Sequence, residues 1–191
     1  MSAPWLQLDF MMAAEPAEGA YPSLDSSGAP PRFRFAFWRS WDSEGPVLAI
    51  VALHPSGDPS IDHYITARLT HFARAAGYGG FIVVNLFAFR ATDPFDLLDH
   101  GFRASEGPNN DDWIRAACTG RDVLVAWGMG TYGGRAAHVA ALLQPIASRL
   151  LCLGVNHDGS PRLPPRPPHP LRPGPAVEMV PWPPTPTKQE S

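Results

Sequence analysis

Two cysteines, Cys118 and Cys152, are all the chain offers in 191 residues. They are too few and too isolated for a zinc site or a disulfide framework, and each reads as a core position on a helix or strand. Lysine is rarer still: Lys188 is the only one, so Arg does all other basic work. No apolar run reaches the roughly 18 residues that span a bilayer. The apolar stretch Trp5–Ala14 has no basic residue ahead of it, which argues against a secretory signal. Phosphate-loop and nucleophile-elbow motifs are missing, and no His, Asp or Glu spacing suggests a metal site. These absences predict a soluble, cytoplasmic protein that needs neither metal nor cofactor and does not meet a membrane. They leave its oligomeric state open.

Charge is present but unevenly spread. Residues 1–31 hold four acids (Asp9, Glu15, Glu18, Asp25) and no Lys or Arg; residues 32–155 balance eleven Arg against eleven acids. A neutral core is not the footprint of a protein that grips duplex nucleic acid mainly by charge. Local basic grooves stay open to it.

Prolines punctuate the chain. Twelve of the 23 fall after Asn156, a density that forbids helix or central strand and predicts an extended segment. Three regions follow: a flexible acidic extension over 1–31, an α/β core over 32–160, and a proline-rich strap over 161–191 that ends in a mobile tail. Within the extension, Trp5–Met12 is a candidate for docking on the core. The strap either packs over the domain through Trp182 or serves as a ligand for proline-binding modules.

The core alternates strand and helix patterns. Arg32–Trp38 alternates, placing Phe33, Phe35 and Phe37 on one face of a first strand. Val47–Leu53 and Phe81–Phe87 are continuously apolar, as buried parallel strands are. Between them Ser60 is a candidate helix cap, Ile61, Ile65, Leu69 and Phe72 form an apolar stripe, and Gly77 stops the helix. A loop follows, then a helix over Asn110–Cys118, a strand over Asp122–Trp127, a helix over Gly134–Leu143 and a strand over Arg149–Leu153. This order predicts a three-layer α/β/α fold with a central, mostly parallel four-stranded sheet plus an N-terminal edge strand.

Ligands of such sheets bind outside the carboxyl ends of the strands, and polar motifs stand at those ends here. His54-Pro55-Ser56-Gly57-Asp58 follows the first central strand; His54 or Asp58 can act as a general base on water, with Ser56 beside them. Alternatively, Asp58 only caps backbone groups. Asn85, alone in an apolar strand, must find partners, either in the His54 loop or on a base or amide edge. Arg90 can bind phosphate or carboxylate in bidentate fashion, or close a loop clamp with Asp93. Trp127, ahead of Gly128 and Gly130, can stack on a ring or simply fill the core. His157 and Arg162 follow the last strand, where an Asp-Gly turn would look the same. His63, His71, His100 and His138 read as solvated or packed.

Several motifs together carry a resemblance. Trp38-Arg39-Ser40-Trp41, Leu53-His54-Pro55-Ser56, Gly77-Tyr78-Gly79-Gly80, Val84-Asn85-Leu86-Phe87-Ala88-Phe89-Arg90-Ala91-Thr92-Asp93-Pro94, Ala126-Trp127-Gly128, Cys152-Leu153-Gly154 and Asp158-Gly159-Ser160-Pro161-Arg162 resemble the bacterial and phage family of domain of unknown function 1643. Pro181-Trp182 extends the likeness, which covers roughly residues 32–182. The family's first loop usually reads Asn-Pro-Ser, where this chain has His54; after Arg162 the family tends to place His-Pro, found here only at His169-Pro170. More distantly, the motif order is similar to the uracil-DNA glycosylase superfamily. That similarity implies a water-activating first loop, a base-reading Asn85 and a late loop that stabilises the leaving base. The expectation is a glycosylase-like domain acting on a nucleobase in a nucleotide or in single-stranded nucleic acid. Its alternatives are a non-catalytic nucleotide or nucleic-acid binding module, and an interaction protein that uses its terminal arms.

Overall fold

A computed structural model describes residues 17–21, 32–56, 59–130, 132–164 and 178–183. The expectations for Trp5–Met12, Gly57, Asp58, His169 and the terminal tail lie outside the described residues. In chain order the elements are β1 (Ala17–Tyr21), β2 (Ala36–Ser40), β3 (Val47–Ala52), α1 (Pro59–Ala75), β4 (Gly80–Asn85), α2 (Phe95–His100), α3 (Phe102–Glu106), α4 (Asn110–Cys118), β5 (Asp122–Ala126), α5 (Arg135–Leu143), β6 (Arg149–Cys152) and β7 (Val180–Pro181).

The protein is α/β, with one mixed sheet of seven strands in the order β1-β2-β4-β3-β5-β6-β7. Strand β3 pairs in parallel with β4 on one side and β5 on the other, and β5 pairs in parallel with β6. The remaining contacts, β1 to β2, β2 to β4 and β6 to β7, are antiparallel. A sheet of four strands plus one edge strand is therefore too small. The two outermost strands come from segments read as extension and strap, and their sequences explain the miss. Ala17–Tyr21 has no apolar alternation, and Val180–Pro181 is two residues long with a proline, which a sheet tolerates at its edge.

The central strands are buried because both sheet faces are covered. On one face Leu48, Ile50, Phe81, Val83 and Leu124 pack against Leu69, Phe72 and Ala73 of α1. On the other, Val51, Val84 and Val125 meet Trp113 and Ile114 of α4 and Val139 and Leu143 of α5. Ile65, assigned to the apolar stripe, is 41% exposed; among the described side chains of α1, Arg68 and Leu69 are the first buried ones. Proline at the first helical position starts α1 at Pro59, since that residue's missing N–H has no intrahelical partner to lose. The aromatic alternation also fails as a single face. Regular pairing starts only at Ala36, so Phe33 and Phe35 stack at 6.1 Å and join the α4 side, whereas Phe37 lies 6.0 Å from Phe81 on the α1 side.

Close backbone contacts at the amino end account for two of the shared motifs. A Cβ on Gly79 would fall 2.3 Å from the Asp42 carbonyl oxygen, and one on Gly80 would fall 2.9 Å from that of Arg39. Trp41 adds a bond from Nε1 to the Tyr78 carbonyl. Trp38–Trp41 and Gly77–Gly80 therefore serve chain packing. Both cysteines are buried, and burial pushes the Cys118 thiol up to about 12, so it is a poor nucleophile at neutral pH. Among the described residues no helix is long and apolar enough to cross a membrane, and no cluster of His, Cys, Asp or Glu could hold a metal ion.

Beside these motifs, the Tyr78 hydroxyl donates to Asp122 at 2.8 Å, and Arg149 binds the same carboxylate through Nε and Nη2. Burial, followed by the bond to Asp122, raises the Tyr78 phenol to about 12. A raised folded pKa means that this group's stabilisation is complete below the ordinary value near 10 and is lost as pH rises through about 12. A tyrosinate absorbance titration should show one tyrosine ionising about two units late. Tyr78→Phe should remove that step, and Asp122→Ala should move it down.

Candidate functional site

Strand order defines where a ligand has room. The connection from β3 crosses one face through α1 to β4, whereas β5 connects across the other face through α5 to β6. The parallel strands thus run second-first-third-fourth, an order whose crevice lies outside the carboxyl ends of the first and third strands. Here these are β3 and β5, paired up to Ala52 and Ala126. Residues 53–56 and 127–130 leave the sheet at this point, with Asn85 one strand away, opposite Ala52.

The first and second loops join beyond the strands. Ser56 bridges to Ala91 in parallel, the Ala91 N–H donates to the Pro55 carbonyl at 3.1 Å, and Nη1 of Arg90 donates to the Ser56 carbonyl at 3.0 Å. His54 places Nδ1 3.1 Å from the Pro55 carbonyl. A carbonyl can only accept, so Nδ1 carries the hydrogen in this contact. Asp96 receives the N–H groups of Asp93 and Thr92, which hold its carboxyl below the usual range with help from the charge of His54. His54, Ser56, Arg90 and the start of α2 therefore form one connected corner. Asp93 does not clamp Arg90; its Oδ1 accepts the Phe95 N–H.

Asn85 is the least satisfied of the sequence-derived candidates. It is 2% exposed, and the register that pairs it with Ala52 sets its side chain on the α1 face. Among the described residues its side-chain amide makes no hydrogen bond, and neither of its polar atoms is one of the fully buried, unmet ones.

The remaining candidates sit over β5 and β6. Trp127 is buried in the core and meets Trp182 edge-on at 5.4 Å, so ring stacking on a ligand would require Trp182 to leave. The glycines after it serve the chain itself: a Cβ on Gly128 would fall 2.9 Å from Leu163, and one on Gly130 would fall 2.8 Å from the Tyr132 ring. Arg162 donates Nε to the Val155 carbonyl at 2.9 Å, within the turn that holds the exposed His157. Asp158 accepts the Ser160 hydroxyl and N–H, which lower its pKa. The structure thus brings His54, Ser56 and Arg90 together, with Asn85 at the paired end of the neighbouring strand β4. Trp127, His157 and Arg162 lie apart from them, over β5 and β6.

Sequence reasoning passed over a third group on the α4 face. Arg135, in the first turn of α5, donates Nε to the Leu86 carbonyl at 2.9 Å and Nη1 to Asp111 at 2.6 Å, with Glu106 at 3.4 Å. Asn110 donates Nδ2 to the carbonyls of Asn85 and Leu86 at 3.0 and 3.1 Å. One signal was available: an Arg at a helix start opposes the helix dipole and so needs a tertiary partner. A cavity of about 360 Å³ lined by Phe72, Tyr78, Arg149 and Met179 lies at the amino end of the sheet. That is the wrong end for the crevice of a doubly wound sheet, and the strand-end loops are the stronger candidate.

These features define an α/β protein with a polar site at the carboxyl ends of its parallel strands. The family model for a protein of unknown function, DUF1643, matches residues 34–171, and the chain belongs to that family. Comparisons with curated proteins and with solved structures gave no match.

Burial raises the Asp111 carboxyl, but hydrogen bonds from His138 at 2.7 Å and from Arg135 outweigh it and hold the pKa below the usual range. A depressed folded pKa stabilises the protein above the ordinary carboxylate value and ceases to do so as pH falls through the folded one. Acid unfolding of Asp111→Asn should accordingly show a shallower loss of stability below about pH 4 than the parent. An unchanged acid limb would show that Asp111 is not held by these partners.

Proposed function

We propose that the carboxyl end of the sheet reads a nucleobase through the Asn85 amide, and that His54 activates water to cleave the N-glycosidic bond behind it. The observation that carries this reading is the Asn85 amide at the carboxyl end of β4, on a residue only 2% exposed and without a hydrogen bond among the described residues. A ligand that closes over this amide has to meet its donor and acceptor, because an amide buried unmet costs about 1–3 kcal/mol. A base edge, with a carbonyl and a ring N–H side by side, meets the amide's donor and acceptor together.

The chemistry asked of His54 is modest. Its Nε2 takes a proton from water as the oxygen bonds to the sugar C1′; the C1′–N bond breaks and its electron pair leaves with the base. A carbonyl of the departing base then gains negative charge, which the Asn85 N–H stabilises. Asp58 is the other candidate base in this loop. A second reading, binding without turnover, is favoured by His54 itself, since the family's first loop usually carries Asn there.

Base release from single-stranded DNA carrying uracil or another modified base tests the enzyme reading, and fluorescence anisotropy with the same strands tests binding. Asn85→Ala should weaken binding by roughly 5- to 100-fold, the equivalent of one lost hydrogen-bonding group. His54→Ala should abolish release with binding kept. Binding without release in the parent protein selects the second reading. Neither release nor binding from any such strand, nor from free nucleosides, excludes both.

A further inference from the structure

Asn85 is gripped from behind by two side chains of other elements. Asn110, at the start of α4, holds the Asn85 and Leu86 carbonyls with one amide nitrogen, and Arg135 holds the Leu86 carbonyl with Nε. Both side chains are buried, and each leaves a buried polar atom unmet: Oδ1 of Asn110 and Nη2 of Arg135. Arg135 also stands at the N-terminus of a helix whose Gly134 cap supplies no side-chain bond, where the dipole disfavours a cation.

Stability alone accounts poorly for this arrangement. Unmet buried polar atoms are penalised, and replacing a buried ion pair together with its partners by apolar residues is often neutral or stabilising. What the pair does supply is a fixed backbone on both sides of the peptide that follows Asn85. Proteins tolerate such local costs where a functional group must be held in one orientation.

We propose that Asn110 and Arg135 are positioning residues that clamp the end of β4 and so fix the direction of the Asn85 amide. The clamp rests on the reading of Asn85 as the base-recognising group. It extends to the surface: Arg135 is anchored by Asp111 and Glu106, and Asp111 is bonded to the exposed His138.

The test uses the full-length chain, labelled with ¹⁵N, as Arg135→Met, Asn110→Leu, Arg135→Lys and Asn85→Ala. Asn85→Ala also assigns the Asn85 side-chain amide resonance. In Arg135→Met the melting temperature should fall, since Asp111 and the Leu86 carbonyl lose a donor, and the comparison is made where the variant is still folded. The Asn85 amide signal should broaden or split, and the affinity for a uracil-bearing single strand should fall ~10- to 100-fold, as misplacement of a recognition group does. Arg135→Lys, which returns a cation able to reach Asp111, should recover part of both. Asn110→Leu should repeat the Met result without touching the charge. A single sharp Asn85 resonance unchanged in both apolar variants would overturn the clamp, and so would an affinity loss that only tracks the unfolded fraction. The resonance is read without ligand, so it decides the clamp even if Asn85→Ala leaves affinity unchanged and the base-reading role falls.

Discussion

A parallel strand ends in carbonyls that the crossover loop must satisfy or leave to something else, and at β4 the structure leaves them to side chains. The carbonyls of Asn85 and Leu86 receive Asn110 from α4 and Arg135 from α5, which ties both helices of one face to the end of a central strand. The side chain of the same residue points to the opposite, α1 face, where its amide makes no hydrogen bond among the described residues. Asn85 is thus over-determined in its backbone and under-satisfied in its side chain.

The rest of the carboxyl end fits around this point. The His54–Ser56 and Arg90–Ala91 loops bond to one another instead of lying open, so their polar groups are held at fixed spacing beside β4. Farther along, Leu163 and Tyr132 occupy the space that the glycines after Trp127 leave, and Trp182 closes on Trp127. The strap's beginning and end therefore act as packing for the β5 and β6 side. Trp127 packs here as core, and the polar groups bonded to one another at a strand end are those of β3 and β4.

The sequence made the central strands legible because continuous apolar runs such as Leu48–Val51 have few other uses, and it made the strand-end motifs legible because polar clusters after such runs are conspicuous. Edge strands were hidden: Ala17–Tyr21 is strand only because Ala36–Ser40 offers it an open ladder. The phase of Phe33, Phe35 and Phe37 was misread because alternation in sequence does not reveal where pairing starts. Asn110 and Arg135 could not be recognised as a pair, since burial of a polar side chain is a property of the assembled helices. The short helices α2 and α3 lay inside a stretch whose Asp and Gly content mimics a loop; Asp96 and Asp93 use those same side chains to cap its turns.

The central claim is that the Asn85 amide is completed by a nucleobase. A crystal structure of the protein soaked with deoxyuridine tests it most directly. The claim predicts a base edge within hydrogen-bond distance, about 2.7–3.2 Å, of both the nitrogen and the oxygen of the Asn85 amide. A structure in which that amide is instead bonded to the chain around Asp58, with the nucleoside elsewhere or not bound, would contradict it.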